Sequence, residues 1–384
     1  MNPLALNRLN VFQSGRLVAT LERTSNGCRF AYLPEAQPPG KPPIAYRLTS
    51  PELVVQGKYN LPPFFSGLLP EGVMRDALVS RARISGDDLF SQLALTGRDA
   101  VGDITVESPD LPVHEGPTGF DDVREFIDGY RASRGSLTFD GLSGVVPKIS
   151  LRQAVRGLRG GAFLVKLEPA EFPGVVPNEA ATMSLARRAG FRTADVRVHA
   201  PDLLVVRRFD RIPQPDGTWQ PIHVEDALQL TDAHPFAKYS LDFLEILDLA
   251  QDLGGGSALC LDLLRLYVLS WLVGNADLHA KNVSFVRDDQ RNAWALTPVY
   301  DLVCTLAYPQ LDPSMALALD EQRADFTLAD LVKVAARDGI PPQAAERALR
   351  RVAERIGVAM QAQTWPGAAQ VEPELTRRRA RFLG

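Results

Sequence analysis

Hydrophobic and polar residues alternate in short runs through the first part of the chain, and turn-forming residues separate the runs. Such alternation is typical of β-strands that have one buried face. The breaks fall at Gly15, at Asn26-Gly27 and at the proline-rich segment QPPGKPP, which indicates hairpins. The strands predicted in this way are LNRLNVFQ, GRLVATLER, CRFAYL and IAYRLTS.

Two helices and one more strand are expected next. The helices cover residues 73–83 and 87–95, and Asp87 is a suitable N-cap for the second. The strand is GDITVE, and the segment SPDLPVHEGPTG at residues 108–119 follows it. Because this segment is rich in proline and glycine, it is the best candidate for a domain boundary.

The middle of the chain mixes helices with strands. A helix is predicted over residues 120–134 and a strand at GGAFLVKLE, with a loop between them. A second helix is expected over residues 178–189, with Asn178 as its N-cap and Gly190 just past its end. Two strands, ADVRVHA and LLVVRRFD, complete this part.

From Val224 onward the apolar positions recur with the period of a helix. The helices predicted there cover residues 242–251, 259–273, 328–337 and 342–356. Strands, one helix and more strands are thus followed mainly by helices. This order predicts an α+β fold in which a small β-rich lobe packs on a larger helical lobe.

Composition narrows the class of protein. With 384 residues, 45% of them hydrophobic and 23% charged, the chain is expected to be globular with two or three domains. A net charge of −4 argues against a dedicated nucleic-acid-binding protein. The arginine cluster at residues 377–381 is therefore interpreted as a solvated helix end.

The sequence also predicts a cellular compartment. Three widely spaced cysteines without a C-x-x-C pair indicate a reducing environment. No secretory signal is visible, and the apolar stretch 259–273 is short and carries Asp262 and Arg265. We therefore expect a cytoplasmic protein that neither spans nor binds a membrane.

The densest group of functional side chains follows an apolar run that ends at Val273. The chain there places Asp277, His279, Lys281 and Asn282 within six residues. The five-residue step from Asp277 to Asn282 is that of the protein-kinase catalytic loop. In that loop the Asp orients the attacking hydroxyl and the Asn binds magnesium.

Each remaining part of a phosphoryl-transfer site has one candidate. Asp301, nineteen residues after Asn282, stands in the apolar segment LTPVYDLV, where a second magnesium ligand would be needed. Lys166 lies in the strand FLVKL and Glu179 on the next helix, as in the kinase lysine–glutamate pair. The loop GLSGVVPK at residues 141–148 offers backbone N–H groups and a lysine to phosphates, although it lacks the Walker A pattern.

These residues also have purely structural interpretations. Lys166 would then be an ordinary lysine on an edge strand, and Glu179 would interact only with the helix dipole. Asp277 would cap a helix, and Asn282 would occupy a left-handed turn.

A metal-dependent hydrolase is another alternative. It would use His279, Asp277 and Asp301 as metal ligands. The chain has five histidines in all and no H-x-x-x-H pair, which disfavours this interpretation.

Together, these segments resemble the HipA family of bacterial toxin serine/threonine kinases. GNADLHAKNVSF is similar to the family's catalytic loop G-x-x-D-x-H-x-K-N-x-S, and LTPVYDLVCT to its metal segment L-x-P-x-Y-D. SGVVPKISL is similar to its phosphate loop, FLVKL to its ATP-lysine strand and RRFDR to its nucleotide hinge. FFSGLLPEG and GDDLFSQLALTGRDAVGDITV resemble the family's N-terminal domain, so the resemblance covers nearly the whole chain.

The resemblance implies ATP and Mg²⁺ as cofactors and a role for each site residue. Asp277 would be the catalytic base, with His279 and Lys281 as further catalytic candidates, and Asn282 and Asp301 would bind magnesium. Nucleotide binding would use a larger set of residues: Lys166 at the α- and β-phosphates, Ser143, Gly144, Val145 and Lys148 in the phosphate loop, the backbone of Arg207 and Phe209 at adenine, and Asp210 at the ribose.

A few positions depart from the patterns of related kinases. Val146 stands where the family often has Gln, and Arg207 where some members have an acidic residue. Leu302-Val303 follows Asp301 where ordinary protein kinases have Phe-Gly, so a mobile metal segment is not assumed. Family members are also controlled by phosphorylation of a phosphate-loop serine, for which Ser143 is the candidate here.

The resemblance further implies a protein-kinase-like bilobal fold in three parts. Residues 1–112 would form a β-rich N-terminal domain, residues 113–226 the kinase N-lobe and residues 227–384 the helical C-lobe.

The implied function is a serine/threonine-protein kinase that transfers the γ-phosphate of ATP to a protein. As a toxin of the bacterial persistence type it would inhibit growth, and a HipB-like helix-turn-helix antitoxin would neutralise it and provide its link to DNA. An aminoacyl-tRNA synthetase is one candidate substrate. A small-molecule kinase and a catalytically silent pseudokinase that serves as scaffold for a transcription regulator stay open as alternatives.

Overall fold

The computed structural model describes residues 6–36, 43–57, 61–111, 148–150, 162–288, 291, 293–361 and 367–384. The chain divides into two compact units. The first unit is Met1–Val165 with Asp210–Pro235, and the second unit is Lys166–Phe209 with Phe236–Gly384. This division by packing is a different property from the predicted domain bounds, which remain predictions.

Strands and helices both occur in quantity among the described residues. The strands are β1 (Arg8–Gln13), β2 (Arg16–Thr24), β3 (Gly27–Tyr32), β4 (Glu52–Gln56), β5 (Ile104–Glu107), β6 (Lys148–Ser150), β7 (Phe163–Leu167), β8 (Val196–Ala200), β9 (Leu203–Arg207), β10 (Arg211–Pro213), β11 (Trp219–Pro221), β12 (Val224–Asp226), β13 (Ser284–Asp288) and β14 (Ala293–Leu296). The α-helices are α1 (Pro63–Gly67), α2 (Gly72–Ala82), α3 (Leu89–Thr96), α4 (Val175–Arg188), α5 (Ala227–Leu230), α6 (Phe243–Asp252), α7 (Gly256–Val273), α8 (Leu328–Arg337), α9 (Pro342–Gln361) and α10 (Ala368–Leu383).

An antiparallel five-stranded sheet organises the first unit, with the strand order β4-β3-β2-β1-β5. Gln13 pairs with Arg16, which leaves Ser14-Gly15 as a two-residue turn whose φ angles are 48° and 81°. Two positive φ angles give a turn that matches the twist of the flanking strands. The predicted hairpins at Gly15 and at Asn26-Gly27 are therefore confirmed, since β2 also pairs antiparallel with β3. The predicted break at QPPGKPP lies almost entirely outside the described residues.

The fourth strand comes later than predicted. IAYRLTS forms turns, and β4 lies after it. Ile44, Ala45 and Leu48 are buried, a spacing that does not alternate. The Tyr32 hydroxyl fixes the turns, since it donates to the Leu48 carbonyl at 2.8 Å and accepts from the Ile44 N–H at 3.0 Å. The prediction of a strand here is wrong because a side chain distant in sequence binds this backbone.

The cap of α3 is shifted by one residue from the prediction. The carboxylate of Asp88, not Asp87, accepts from the backbone N–H of Ser91 at 3.0 Å. Arg23 on β2 forms an ion pair with the same carboxylate at 3.0 Å, so the cap is fixed by the sheet as well as by the helix.

The second unit contains a hairpin and a terminal helix that periodicity did not predict. Strands β13 and β14 pair antiparallel directly after the Asp277–Asn282 segment, where only helices were expected. Helix α10 carries the arginine cluster, and Arg378 within it is buried over the Trp271 ring at 3.7 Å. The interpretation as a solvated helix end is therefore wrong for Arg378.

Helix α7 is the core helix of the second unit. It begins three residues before the predicted start and spans 18 residues, so among the described helices it is the one long and apolar enough to cross a membrane. However, 67% of it is buried inside the protein. Burial of this kind is typical of a central packing helix and explains its apolar sequence.

A buried histidine connects two distant parts of the first unit. His223 Nδ1 lies 2.8 Å from Asp103 Oδ1, and His223 Nε2 lies 2.8 Å from Glu225 Oε1. The backbone N–H of Tyr46 donates to the same Glu225 oxygen at 2.8 Å. Burial acts to lower the pKa of His223, but the two carboxylates outweigh it and raise the pKa to about 9. The imidazolium thus holds residues 210–235 against the five-stranded sheet.

The raised pKa of His223 predicts a pH-dependent stability. The unfolded value is 6.5, so the stabilisation is complete below pH 6.5 and is lost as the pH rises through about 9. We expect wild-type protein to lose on the order of 2–3 kcal/mol of unfolding free energy over this range relative to His223→Gln. Urea titrations at several pH values measure the difference. His199→Gln, at an exposed position, is the control substitution of a histidine by the same residue. If the unfolding free energies of wild type and His223→Gln change with pH in parallel, the raised pKa of His223 is contradicted.

Candidate active site

Lys166 lies at the centre of a buried ionic group in the second unit. Its neighbours on β7, Val165 and Leu167, are buried, and Lys166 itself is 3% exposed. Its ammonium forms hydrogen-bonded ion pairs with the carboxylate of Glu179 and with Asp301 Oδ1, the latter at 2.6 Å. Burial acts to lower the pKa of Lys166, but attraction by Asp301 and Glu179 raises it above its usual value. An ordinary edge-strand lysine would be solvated, so that interpretation is wrong.

Glu179 reaches this lysine because helix α4 starts earlier than predicted. The helix begins at Val175 after Gly174, which places Asn178 inside the helix and not at its N-cap. No acidic residue lies in the first turn. The Glu168 carboxylate instead accepts from the N–H of Gly174 at 2.8 Å. The interpretation of Glu179 as a partner of the helix dipole is therefore wrong, and its contact is with Lys166.

The loop after α7 begins at a residue that must be glycine. Gly274 has a φ of 77°, and a Cβ there would lie 2.9 Å from the side chains of both Cys304 and Leu306. The side chain of Asn275 then accepts from the N–H of Asp277 at 3.2 Å. The chain thus turns sharply at the end of a buried helix and presents Asp277 at the turn.

Asn282 closes this loop onto Asp277. Its Nδ2 donates to the Asp277 carbonyl at 3.2 Å, and the His279 N–H donates to the same carbonyl at 2.9 Å. Asn282 does not have a positive φ, and Asp277 caps none of the described helices. Both structural interpretations of this pair are wrong. The loop instead keeps an aspartate and an asparagine in a fixed relation.

Tyr239 is a contact of the loop that the sequence did not reveal. Its hydroxyl donates to Asp277 Oδ1 at 3.2 Å, and its ring packs edge-on against the His279 ring with centroids 5.4 Å apart. The neighbouring Lys238 carbonyl accepts from the Ala280 N–H at 3.1 Å. No local pattern marks a tyrosine 38 residues upstream as a partner of Asp277.

Asn282 and Asp301 line one pocket, together with Ser284 and Tyr300. Tyr300 donates to the Lys281 carbonyl at 2.8 Å and lies 2.6 Å from Ser284 Oγ, which connects the metal segment to the catalytic loop. Amide and carboxylate oxygens are the ligands that Mg²⁺ prefers. The donor set of this pocket therefore fits a magnesium ion.

The hydrolase alternative finds no support in the geometry. Among the described residues, no group of three or more His, Cys, Asp and Glu side chains is arranged to hold a metal ion. His279, Asp277 and Asp301 thus do not converge as that alternative requires.

The predicted hinge residues have different surroundings. The Arg207 N–H donates to the Asp195 carbonyl at 2.8 Å, and the Phe209 ring lies 5.3 Å from the Tyr300 ring, beside the pocket. Asp210 belongs to the first unit, where its carboxylate accepts from the Gly102 N–H at 2.8 Å and from Arg211 at 2.7 Å. The proposed roles of these residues at adenine and ribose remain predictions.

The structure does not describe the side chains of the phosphate-loop candidates. Ser143, Gly144 and Val145 lie outside the described residues, and so does the predicted helix 120–134. Lys148 opens the short strand β6, where the backbone alone is described. Autophosphorylation of Ser143 stays a prediction from the resemblance.

Known proteins resemble this chain over both units. The family model of the HipA N-terminal domain matches residues 9–107, and that of the HipA-like C-terminal domain matches residues 141–360. The putative kinase Y4mE of Sinorhizobium fredii is 31% identical, over 84% of this chain and 82% of its own length. The serine/threonine-protein kinase toxin HipA of Shewanella oneidensis is 27% identical, over 76% of this chain and 75% of its own.

A solved structure gives the fold. It contains the Shewanella oneidensis HipA with HipB and operator DNA, and the matched chain has a TM-score of 0.78 and 21% identity, with 97% of both chains covered. The predicted kinase-like α+β fold is thus confirmed. Because one family model spans more than half of the chain and a relative above 30% identity spans most of it, this chain belongs to the HipA family.

Proposed function

We propose that this chain is a cytoplasmic, ATP-dependent serine/threonine-protein kinase that acts as the toxin of a toxin–antitoxin pair. The observation that carries the proposal is the buried ammonium of Lys166 between Glu179 and Asp301. A buried charge of this kind is costly unless it is paired, and kinases use such a lysine to bind phosphates. The names of the relatives, which include kinases and a kinase toxin, support the same activity.

Each residue has a role that its contacts support. The Asp277 carboxylate, oriented by Tyr239 and by the loop, accepts the proton of the substrate hydroxyl and aligns that oxygen with the γ-phosphorus. The Lys166 ammonium binds the α- and β-phosphates. Asn282 and Asp301 would hold Mg²⁺, which when bound neutralises charge on the phosphates.

His279 and Lys281 complete the catalytic candidates. His279 is buried against Tyr239, and the Lys281 carbonyl binds Tyr300, so both keep the loop in shape. We propose that the Lys281 ammonium, which is not fully buried, assists at the γ-phosphate. An intact set of Asp277, Asn282, Asp301 and Lys166 also disfavours a silent pseudokinase.

A protein hydroxyl is the proposed acceptor, and an aminoacyl-tRNA synthetase is one candidate substrate. A kinase of small molecules would use the same loop. Incubation of the protein with radiolabelled ATP and a cell lysate separates the two. A protein kinase labels a protein band, whereas a small-molecule kinase labels small metabolites.

The first prediction separates the roles of two carboxylates. Asp277→Asn should lower phosphate transfer by about 10²–10⁴-fold, because the proton acceptor is lost, and should leave ATP affinity nearly unchanged. Asp301→Asn should lower both transfer and magnesium-dependent ATP affinity. Transfer from radiolabelled ATP and calorimetric ATP titration measure these effects. Asp262→Asn, at an exposed helix position, is the matched control. Phosphate transfer by Asp277→Asn at the wild-type rate would contradict the proposed mechanism.

The second prediction concerns the partner. We propose a HipB-like antitoxin as the link to DNA, as in the complex of the Shewanella protein. Three arginines of the cluster are engaged within the chain itself. Arg377 forms an ion pair with Glu374 at 2.8 Å and Arg381 one with Asp325 at 3.4 Å, and Arg378 is buried. A gel shift with DNA from upstream of the gene should show binding by the chain alone no tighter than about 10⁻⁶ M.

We expect the neighbouring reading frame to encode a helix-turn-helix protein, and addition of that protein should produce a tight complex with DNA. Arg377→Ala with Arg381→Ala should leave that complex unchanged. Tight, sequence-specific binding by the isolated chain would contradict the proposal.

A further inference from the structure

The side chain of Asn178 binds both backbone groups of Cys304. Asn178 Nδ2 donates to the Cys304 carbonyl at 3.0 Å, and Asn178 Oδ1 accepts from the Cys304 N–H at 3.0 Å. Asn178 is 1% exposed, and the Thr182 hydroxyl donates to its Oδ1 at 3.2 Å. A buried amide with two such bonds to one residue is a clamp whose orientation is fixed by its own helix.

The clamped residue lies three positions after Asp301, whose backbone is unusual. Asp301 has a φ of 55°, in the left-handed region that few non-glycine residues other than Asn and Asp adopt. On the upstream side, Val299 is held by backbone hydrogen bonds with Arg192 at 2.9 Å and Ala194 at 2.8 Å. On the downstream side, the side chain of Asn178 holds Cys304.

The same segment is also tied to the catalytic loop. The Thr305 hydroxyl donates to the Gly274 carbonyl at 3.1 Å and accepts from the Ala276 N–H at 2.9 Å. Residues 304–305 therefore join the helix that carries Glu179 to the loop that carries Asp277.

We propose that Asn178 is a positioning residue that holds Asp301 against Lys166. Asn178 and Glu179 are consecutive on α4, so one helix fixes both partners of the lysine: Glu179 by a direct ion pair and Asp301 through Cys304. Displacement of Cys304 from α4 breaks two buried hydrogen bonds, so the backbone that carries Asp301 is held near Lys166. The metal segment of this chain is thus a fixed part of the site, and its link to magnesium binding rests on the proposed function.

Two variants test the clamp. Asn178→Leu keeps a similar volume and removes both hydrogen bonds. Asn178→Asp keeps the size of the side chain and the acceptor for the Cys304 N–H, and in its ionised form it sets a second oxygen, with no donor, against the Cys304 carbonyl. Ser257→Ala is the matched control, because it removes one hydrogen bond of 3.0 Å to the Asp338 carbonyl elsewhere in the second unit.

Hydrogen exchange without nucleotide or metal is the first readout. Amides in a peptide covering residues 299–308 should exchange at least about tenfold faster in both Asn178 variants than in wild type. Peptides from α7 should be unchanged, and Ser257→Ala should match wild type over residues 299–308. Unchanged exchange of this peptide in both variants would overturn the clamp, whatever the activity of the protein.

Kinetics are the second readout. If the wild type transfers phosphate, the magnesium concentration for half-maximal rate should rise about tenfold or more in the Asn178 variants, with the Ser257→Ala value unchanged. Faster exchange with an unchanged magnesium requirement would overturn the positioning role. A wild type without transfer activity would refute the proposed function instead, and the exchange result would still decide the clamp.

Discussion

The second unit depends on one buried cation. Lys166 is almost fully enclosed, and two carboxylates from different elements compensate its charge. Removal of either carboxylate would leave a charge in a poorly solvated place, which typically costs about 3–5 kcal/mol. The ionic group therefore fixes the register of β7, α4 and the metal segment at the same time. In the proposed function, the same three residues serve both stability and chemistry.

Further contacts hold the metal segment and the loop that carries Asp277 in place. Gly274 permits a close approach of Cys304 and Leu306 to the catalytic loop, because no Cβ stands between them. Arg378 donates to the Trp271 carbonyl at 3.2 Å and stacks on the Trp271 ring, which supports the end of α7 just before that glycine. Cys304 packs with Val371 and Leu375 of α10. The chain beyond the matched family domain thus contributes to the rigidity of the site.

Some of this could be predicted from sequence because the signals are local. Asp277 and Asn282 lie within one loop at a diagnostic step, and Lys166 with Glu179 could be proposed as a kinase-type pair. The burial of Lys166 was not predicted, because a lysine in an apolar strand can also lie on a solvated edge. The first hairpins have marked turn residues. The start of α4 was misplaced because Asn178 looks like a cap, while the true first turn is satisfied by Glu168 and by a glycine with positive φ.

Other features depend on contacts between distant residues, and no single-sequence pattern encodes them. Tyr239 meets Asp277, and Tyr32 holds the turns at 44–48, each across a long stretch of chain. Strands β13 and β14 follow a helical region and have only five and four residues, and the buried positions of β13 do not alternate. Arg378 is buried because its guanidinium stacks on an aromatic ring and donates to two backbone carbonyls. The charged residues beside it in the sequence give no sign of this burial.

The central proposal is that Glu179 supports nucleotide binding through its ion pair with Lys166, and a double-mutant cycle tests it most directly. ATP affinity is measured for wild type, Lys166→Met, Glu179→Gln and the double variant at one magnesium concentration. The account predicts that both single variants weaken binding and that the double variant is no weaker than Lys166→Met, with a coupling energy of about 1–3 kcal/mol. Additive losses would show that Glu179 and Lys166 act independently and would contradict the account.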